Sequence, residues 1–394
     1  MRFSLFLLAF ACLPGCDDTG PVRPDSGGVD GTFDGGPPGD AGNRGGCSPL
    51  SITPIAAGMV APVLVTAPAG DDRLFVVNLT GTVALIQADG ETSTFLDLGA
   101  SITLTSDRGL NGLAFHPDFG TNGRFYVTYA PSRSTLRLSS FELLDANTAD
   151  PSTEVLLLET TFPETTHTGG HLAFGPDGYL YVGVGDGEMS PTMMLAQDTT
   201  SLLGSILRID VDSASPYAIP SDNPFVGAGG GVREEIFAFG FRLPYRFSFS
   251  GTDLLVGEVG DTRFEQVELV TSGGNYGWPI VEGNMHCHTP RTGCDTSTSE
   301  PPLFEFEHSG GRCAMMGGFV YRGDDLPSCH QGRYFFADFC TGAVTSFTIE
   351  GRAATDVQAG PVAPSMVVSW GRGGDGELYL LGMDGEVFKL TAAP

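Results

Sequence analysis

Short apolar stretches recur along the chain, and each begins at a turn rich in glycine and polar residues. Six of these stretches are each followed by a second apolar-rich stretch after a short gap. The first stretches are 72–77, 123–127, 177–182, 251–256, 332–337 and 375–380. The second stretches are 83–86, 136–141, 206–211, 267–270, 344–349 and 387–390. Strand pairs repeated at tens of residues are typical of a β-propeller, so the sequence predicts an all-β fold with six blades.

The spacing of the repeats is uneven, and the longest gaps lie between the third and fifth stretches. We therefore expect the corresponding blades to carry long loops, where binding sites usually lie. No segment after the N-terminus shows sustained helical periodicity. A propeller of seven blades, or another large all-β fold, is the alternative architecture.

Composition supports many tight turns and excludes one class of partner. Glycine accounts for 56 of the 394 residues, and only 17% of residues are charged. The formal net charge is −27, with no basic cluster able to neutralise a run of phosphates. Nucleic-acid binding is therefore excluded, and the partner is expected to be a small molecule or another protein.

The N-terminus has the pattern of an export signal. Arg2 precedes a short apolar run, and residues 1–16 end in Leu-Pro-Gly-Cys, which resembles a bacterial lipobox. This predicts lipid attachment at Cys16, with ordinary signal-peptide cleavage as the alternative. The protein would then be exported and lipid-anchored, facing the periplasm or cell exterior, with no other membrane contact. Residues 17–46 are predicted to be a disordered Gly/Asp/Pro-rich tether, and 47–394 the propeller.

Six cysteines follow the tether. An even number in an exported protein indicates disulfides, and six cysteines allow fifteen pairings. Cys287 and Cys294 bracket a short loop and form the favoured pair; Cys313 with Cys340 is the second choice, which leaves Cys47 with Cys329. The alternative for the 286–288 stretch, His-Cys-His, is a zinc site.

A histidine in segment 167–187 is the main candidate for chemistry. His167 precedes Gly169 and Gly170, which allow a ligand to approach the backbone closely. Histidine titrates near neutral pH and can take a proton from an alcohol, so His167 is a candidate general base. The alternative is a histidine hydrogen-bonded within a turn, which is our interpretation of His171.

Together with segments 202–212, 217–225 and 273–279, this segment resembles the glucose/sorbosone dehydrogenase family, whose known enzymes use pyrroloquinoline quinone. The resemblance implies a six-bladed propeller in which His167 takes the proton of an aldose C1 hydroxyl while hydride passes to the quinone. It further implies that Arg242 contacts the quinone, although Leu243 replaces the usual asparagine. Asp107, Thr166 and Arg372 are then further candidates for cofactor contacts, and the partners would be a sugar and an electron acceptor.

The same resemblance implies calcium. A cofactor-bridging calcium would bind the carbonyls of Gly260 and Asp261, since calcium prefers six to eight oxygen ligands. A second calcium would involve Gln266 and Tyr276, but the family has a glutamate where this chain has Gln266.

Several departures keep other functions open. The family's lysine for the quinone carboxylates aligns near Thr341, and its arginines align near 370–372, where Arg372 alone is basic. The extra cysteines are similar to those of a branch that includes non-enzymatic hedgehog-interacting-like propellers. A non-catalytic carbohydrate- or protein-binding propeller is therefore the second hypothesis. A calcium-dependent lactone hydrolase, which needs a carboxylate-rich calcium cage, is the third.

Overall fold

A computed structural model describes residues 47–188, 193–288 and 294–394. The predicted signal peptide, Cys16 and the tether lie outside the described residues. Within the described ranges, no helix is long and apolar enough to cross a membrane.

The described residues form 26 strands and four short helical turns. In chain order the strands are β1 (Leu50–Ala56), β2 (Pro62–Thr66), β3 (Leu74–Asn78), β4 (Thr82–Ile86), β5 (Thr92–Asp97), β6 (Leu110–Phe115), β7 (Arg124–Ser132), β8 (Thr135–Asp145), β9 (Thr148–Thr161), β10 (Gly169–Phe174), β11 (Leu180–Val184), β12 (Ser205–Ile209), β13 (Ile236–Phe239), β14 (Pro244–Ser250), β15 (Asp253–Glu258), β16 (Phe264–Val270), β17 (Val281–Glu282), β18 (His286–Cys287), β19 (Phe304–Glu307), β20 (Met315–Val320), β21 (Tyr334–Asp338), β22 (Ala343–Glu350), β23 (Ala353–Val362), β24 (Val367–Arg372), β25 (Leu378–Gly382) and β26 (Val387–Ala392). The helical turns are α1 (Phe119–Asn122) and the 3₁₀ turns Gly99–Ser101, Leu195–Gln197 and Ser328–His330.

Twenty-four of these strands form six four-stranded antiparallel blades, which confirms the predicted propeller. The blades are β2–β5, β6–β9, β10–β13, β14–β15–β16–β19, β20–β23 and β24–β25–β26–β1. The repeated stretches of the sequence are the second and third strands of each blade. These strands have neighbours on both edges and both faces, and therefore carry the most continuous apolar sequence.

A recurrent turn starts the second strand of a blade. Between β10 and β11, the Asp177 carboxylate accepts the Tyr179 N–H at 3.2 Å, and Gly178 has φ +82°. Between β24 and β25, Asp375 accepts the Glu377 N–H at 3.0 Å, and the intervening glycine has φ +86°. An Asp-Gly pair suits this turn because the aspartate caps the backbone and glycine adopts positive φ without steric cost.

The sixth blade closes the ring with the N-terminal strand. β1 pairs with β26 in antiparallel register, with Leu50 opposite Ala392. The Cys47–Cys329 disulfide attaches this strand to blade 5, and the Cys287–Cys294 and Cys313–Cys340 disulfides also form. The structure thus contains the favoured pair Cys287–Cys294, the second choice Cys313–Cys340 and the remaining pair. The remaining pair joins two cysteines 282 residues apart.

The first strand of each blade lies at the axis, where it contacts the first strands of the two neighbouring blades. These six inner strands run in the same direction, as the parallel β2–β24 bridge illustrates. The propeller therefore has a start face, where the inner strands begin, and a finish face, where they end. The second strands run antiparallel to the first, so their last residues lie on the start face.

Blades 3 and 4 carry the long insertions that the spacing predicts. In blade 4, residues 271–303 separate β16 from β19 and include the β17–β18 hairpin and the Cys287–Cys294 loop. This insertion supplies Trp278 and His288 to the start face, as the contacts below show.

Candidate functional site

His167 lies on the start face, immediately before β10, in an unusual backbone conformation. Its φ is +49°, and Gly169 and Gly170 follow with φ +71° and +93°. A Cβ on Gly169 would come within 2.9 Å of the Gly183 carbonyl, so the loop packs against β11 because glycine is present. Non-glycine residues with positive φ are rare and concentrate at functional sites, where surrounding contacts hold them.

The His167 side chain is held by a buried carboxylate. Its Nδ1 lies 2.8 Å from Oδ1 of Asp186, whose side chain is 1% exposed, against 15% for His167. The other carboxylate oxygen, Oδ2, accepts a hydrogen bond from Trp278 Nε1 at 2.7 Å. The contact assigns a proton to Nδ1 of His167, which leaves Nε2 as the basic nitrogen.

Arg242 reaches the same cluster from the loop before β14. Its guanidinium lies 5.6 Å from the Trp278 ring, and its backbone carbonyl accepts the Asp186 N–H at 2.8 Å. Its Nη2 donates to Oδ1 of Asp261 at 3.3 Å. Asp186 and Trp278 thus connect Arg242 to His167, and the structure brings the two predicted catalytic residues together.

Asp261 joins the guanidinium to a second histidine. Its Oδ2 lies 3.0 Å from Nε2 of His288, whose ring packs edge-on against Trp278 at 4.6 Å. Burial opposes ionisation of Asp261, but the His288 hydrogen bond and the Arg242 charge hold its pKa below the usual value. Asp261 is therefore an anion beside Arg242.

The loop that carries Asp261 directs its backbone N–H groups to one carboxylate. Glu282 Oε1 accepts the backbone N–H groups of residues 261–264 at 2.9–3.3 Å, so the loop's donors point to that carboxylate. Among the described residues, no donor bonds the carbonyl of Gly260 or Asp261. These two oxygens, predicted as calcium ligands, are available to a cation.

Asp107 and Arg108 reach the start face from the segment before β6. Asp107 Oδ2 accepts the Thr168 N–H at 2.9 Å; burial raises the pKa of this carboxyl, and the Thr168 hydrogen bond opposes the rise. Arg108 donates to Thr168 Oγ1 at 2.7 Å and to the Thr166 carbonyl at 3.5 Å. Asp107 and Thr166 thus lie beside His167, with Arg108 buried among them.

Gln266 and Tyr276, the candidates for a second calcium, already have protein partners. Gln266 donates to Glu268 at 2.7 Å and accepts the Gly283 N–H at 3.0 Å. The Tyr276 hydroxyl donates to the Leu269 carbonyl at 3.0 Å and accepts the Thr271 N–H at 2.9 Å. Both arrangements hold the fold of blade 4, and the structure gives no cation-ligand geometry to these two side chains.

Two buried carboxyl groups flank Gln266. Glu258 Oε1 accepts the backbone N–H groups of Arg242 at 2.5 Å and Leu243 at 3.3 Å, while its Oε2 is buried with no partner in the described structure. Burial raises the pKa of Glu258 to about 8. Burial and the neighbouring Glu258 also raise the pKa of Glu268 far above its usual range. Burial thus favours the neutral, protonated form of both groups.

Arg372 does not belong to this cluster. It is the last residue of β24, bridges to Thr66 at the end of β2, and lies on the finish face. His167 and Arg242 precede their inner strands and lie on the start face. The expectation that Arg372 and His167 contact one cofactor is therefore wrong. The two residues lie at opposite ends of the inner strands, so the full length of a strand separates them.

The zinc alternative is also resolved. Cys287 is in a disulfide, the His286 ring stacks on Phe264 at 4.4 Å, and His288 binds Asp261. In the described ranges, the one group of three His, Cys, Asp or Glu ligand atoms within 4.8 Å of each other is Cys47, Cys329 and His330, of which two are joined in a disulfide. The carboxylate cage of a lactone hydrolase is likewise absent from the described residues.

Sequence reasoning did not place Asp186, Trp278 or His288 beside His167 and Arg242. Asp186 follows β11 in a Gly-Asp-Gly stretch, and the antiparallel pairing of β10 and β11 returns the chain to His167 at that point. This strand geometry was the available signal. Trp278 and His288 carried no such signal, because they come from an insertion in another blade.

The sequence profile of the family described as Glucose / Sorbosone dehydrogenase matches residues 61–388. This chain belongs to that family. The match runs from the start of β2 to the first residues of β26 and so includes every start-face residue described above.

The proteins similar to this chain include both hedgehog-interacting-type proteins and a quinoprotein dehydrogenase. The chain is 30% identical over 351 residues to HIPL1 protein of Arabidopsis thaliana, covering 70% of this chain and 50% of that one. It is 31% identical over 321 residues to Hedgehog-interacting protein of Mus musculus (73% and 42%). It is 32% identical over 200 residues to Quinoprotein glucose dehydrogenase B of Acinetobacter calcoaceticus (44% and 40%). The chain spans about half the length or less of these curated relatives.

A solved structure agrees with the family's fold. The soluble aldose sugar dehydrogenase of Escherichia coli, in its apo form, matches with a TM-score of 0.73 at 22% identity, covering 87% of this chain and 100% of that chain. This likeness supports the propeller architecture.

The start-face residues fit the reacting end of the quinone that the family implies. Among the described residues no partner bonds His167 Nε2 or the carbonyls of Gly260 and Asp261, and Arg242 offers guanidinium N–H groups to an oxygen. The quinone's three carboxylates meet a less favourable charge, because the Asp107 and Asp186 carboxyls lie near His167 and the Asp261 carboxylate pairs with Arg242. A divalent cation at Gly260 and Asp261 would offset that negative charge.

Proposed function

We propose that the start face oxidises a hydroxyl group of a sugar, with pyrroloquinoline quinone as the electron acceptor and His167 as the general base. The observation that carries the proposal is the convergence of the His167–Asp186 pair with Arg242 on one end of the axis. The sequence likeness to a quinoprotein glucose dehydrogenase supports the choice of cofactor.

In this mechanism His167 Nε2 takes the proton of the sugar hydroxyl. Asp186 keeps the Nδ1 proton in place and stabilises the imidazolium that forms, because its buried carboxylate is 2.8 Å away. Trp278 fixes the orientation of Asp186 through the 2.7 Å hydrogen bond. A bound quinone would supply the acceptor for the hydride on the carbon that carries this hydroxyl, so that the aldose C1 hydroxyl would be oxidised by two electrons to a lactone.

Arg242 would hold the quinone, with its guanidinium positioned by Asp261 and the Trp278 ring. A calcium ion on the carbonyls of Gly260 and Asp261 would polarise the adjacent quinone oxygen. The neutral Glu258 holds the Arg242 backbone through a hydrogen bond and adds no negative charge at pH 7.

We expect quinone binding to require calcium. The carboxyl groups around Arg242 repel a trianion, so chelation with EDTA should weaken quinone binding about tenfold or more. Titration of the purified apo-protein with quinone, followed by absorbance and calorimetry with and without calcium, measures this. The same titration followed by dye reduction across a panel of sugars tests the proposed activity.

A second function, a binding propeller without catalysis, is favoured by one observation. Among the described residues, Arg242 is the one arginine of the start face that forms an ion pair next to His167, which leaves few positive groups for the quinone's three carboxylates. Hedgehog-interacting protein is also among the proteins similar to this chain. This function predicts sugar or protein binding that persists without quinone and survives the change of His167 to alanine. Sugar-dependent dye reduction that requires quinone contradicts it.

We also propose that the protein is exported from the cytoplasm and attached to a membrane by a lipid at Cys16. Residues 1–16 carry the signal that motivates it. Mass spectrometry of the mature N-terminus tests it, and a mature chain without a lipid at Cys16 contradicts it.

A further inference from the structure

The finish face contains a cavity that the proposed function does not use. It has a volume of about 620 Å³ and is lined by the last residues of inner strands from all six blades. It therefore lies on the axis, at the opposite end of the inner strands from His167. A cavity of this size is in the range that holds a small organic ligand.

Arg372 is the distinctive group in this cavity. Among the arginines in the described ranges that are buried or half-buried, Arg372 alone has a guanidinium group that donates no hydrogen bond. The others bind carboxylates or carbonyls: buried Arg208, for example, binds Asp177 at 3.0 Å and Asp222 at 2.8 Å. The Arg372 guanidinium lies over the face of Phe319, at 5.9 Å from the ring centre. A guanidinium has five N–H donors, so its lack of acceptors leaves most of its binding capacity unused.

The charges around Arg372 do not compensate it. Burial lowers the pKa of Arg372, and the positive charge of Arg322 lowers it further. Arg322 lines the exposed part of the cavity and donates to Ser250 Oγ at 3.0 Å. The one carboxylate in the lining, Asp375, accepts the backbone N–H of Glu377 in the turn before β25. The cavity is thus positive within a chain whose net charge is −27.

Much of the remaining lining is apolar or aromatic, with Thr66, His116, His171 and Ser248 as its polar side chains. Phe319 and Phe249 line the cavity beside the two arginines, together with aliphatic residues at the ends of β2 and β6. Planar guanidinium groups match the two oxygens of a carboxylate, while aromatic walls favour a flat apolar body over a hydrated inorganic ion.

We propose that the finish-face cavity is a binding site for a small aromatic carboxylate, with Arg372 holding the carboxylate and Arg322 attracting it at the entrance. The aromatic ring would pack against Phe319 and Phe249. This site is separate from the start-face chemistry and does not depend on it.

Calorimetric titration with benzoate tests the proposal, with benzamide as its neutral counterpart. Benzoate should bind the wild-type protein at least about tenfold more tightly than benzamide, and Arg372→Gln should weaken benzoate binding about tenfold or more, since charge-assisted hydrogen bonds are lost. Arg352→Gln is the matched control, because Arg352 is an exposed arginine paired with Glu300 elsewhere on the surface. It should leave benzoate affinity unchanged, as should His167→Ala on the other face.

Two further measurements keep the test decisive if Arg372→Gln folds poorly. Arg322→Gln changes an exposed side chain and should weaken benzoate binding several-fold. The affinity for benzoate should also fall as sodium chloride is raised from 50 to 500 mM, because salt screens the attraction between the arginines and the carboxylate. The proposal is overturned if benzoate does not bind the wild-type protein, if it binds Arg372→Gln equally well, or if phosphate binds in its place.

Discussion

Replacing Asp186 with asparagine is expected to lower kcat for quinone-dependent sugar oxidation about 10²–10⁴-fold. The variant keeps the size of the side chain, so the fold should persist. It removes the negative charge 2.8 Å from Nδ1 of His167, so the imidazolium that forms on proton transfer is no longer stabilised. An asparagine amide can also donate to Nδ1, which would place the ring proton on Nε2 and block the base.

The Asp186→Asn change should lower kcat rather than the affinity for quinone. The Asp186 carboxylate contacts His167 and Trp278 and does not contact the Arg242 side chain. Asp210→Asn is the matched control. Asp210 lies in the same blade, after β12 and so on the finish face, where it accepts backbone N–H groups at 2.9 and 3.0 Å. Equal kcat values for Asp186→Asn and Asp210→Asn would show that His167 does not rely on Asp186.

Replacing Glu258 with glutamine is expected to stabilise the protein at alkaline pH. The folded-state pKa of Glu258 is raised to about 8 by burial, above the value of about 4.3 in an unfolded chain. The folded protein therefore holds a proton that the unfolded chain releases between these two values. Its favourable contribution is fully present below pH 4 and is lost as the pH rises through the folded-state pKa. Glutamine keeps the acceptor for the Arg242 N–H without this dependence.

The difference in unfolding free energy between Glu258→Gln and wild type should grow by up to about 1.4 kcal/mol per pH unit and reach roughly 3–5 kcal/mol near pH 8. Urea unfolding in EDTA from pH 5 to 9 measures it. Glu350→Gln is the control, since Glu350 is exposed at the end of β22. A difference that does not change with pH would mean that Glu258 is ionised in the folded protein.

The extent to which the sequence revealed the fold depended on the strand. The middle strands of each blade, such as β11 and β25, are buried throughout and read as apolar stretches. The outer strands β9 and β23 have one solvent edge and several exposed residues, so they lack this pattern. The inner strands β10 and β20 each contain a Gly-Gly pair, which reads as a turn although it allows close packing at the axis.

The site was predictable where local sequence decides position, and not elsewhere. His167 and Arg242 come immediately before inner strands, so their motifs place them on the same face. The bond between Asp186 and Trp278 joins residues 92 positions apart and follows only from the folded insertion of blade 4. Arg372 was misplaced because a motif near the end of the chain gives no information about which end of β24 it occupies.

In the proposed mechanism, His167 removes the proton of the sugar hydroxyl on the start face. The most direct test of this step is stopped-flow reduction of the bound quinone by an aldose in calcium-loaded protein, comparing wild type with His167→Ala. We expect rapid reduction in the wild type and a rate at least about 10²-fold lower in the variant, with quinone still bound to both. Reduction at equal rates in the two proteins, or none in a wild type that binds quinone and calcium, would contradict this mechanism.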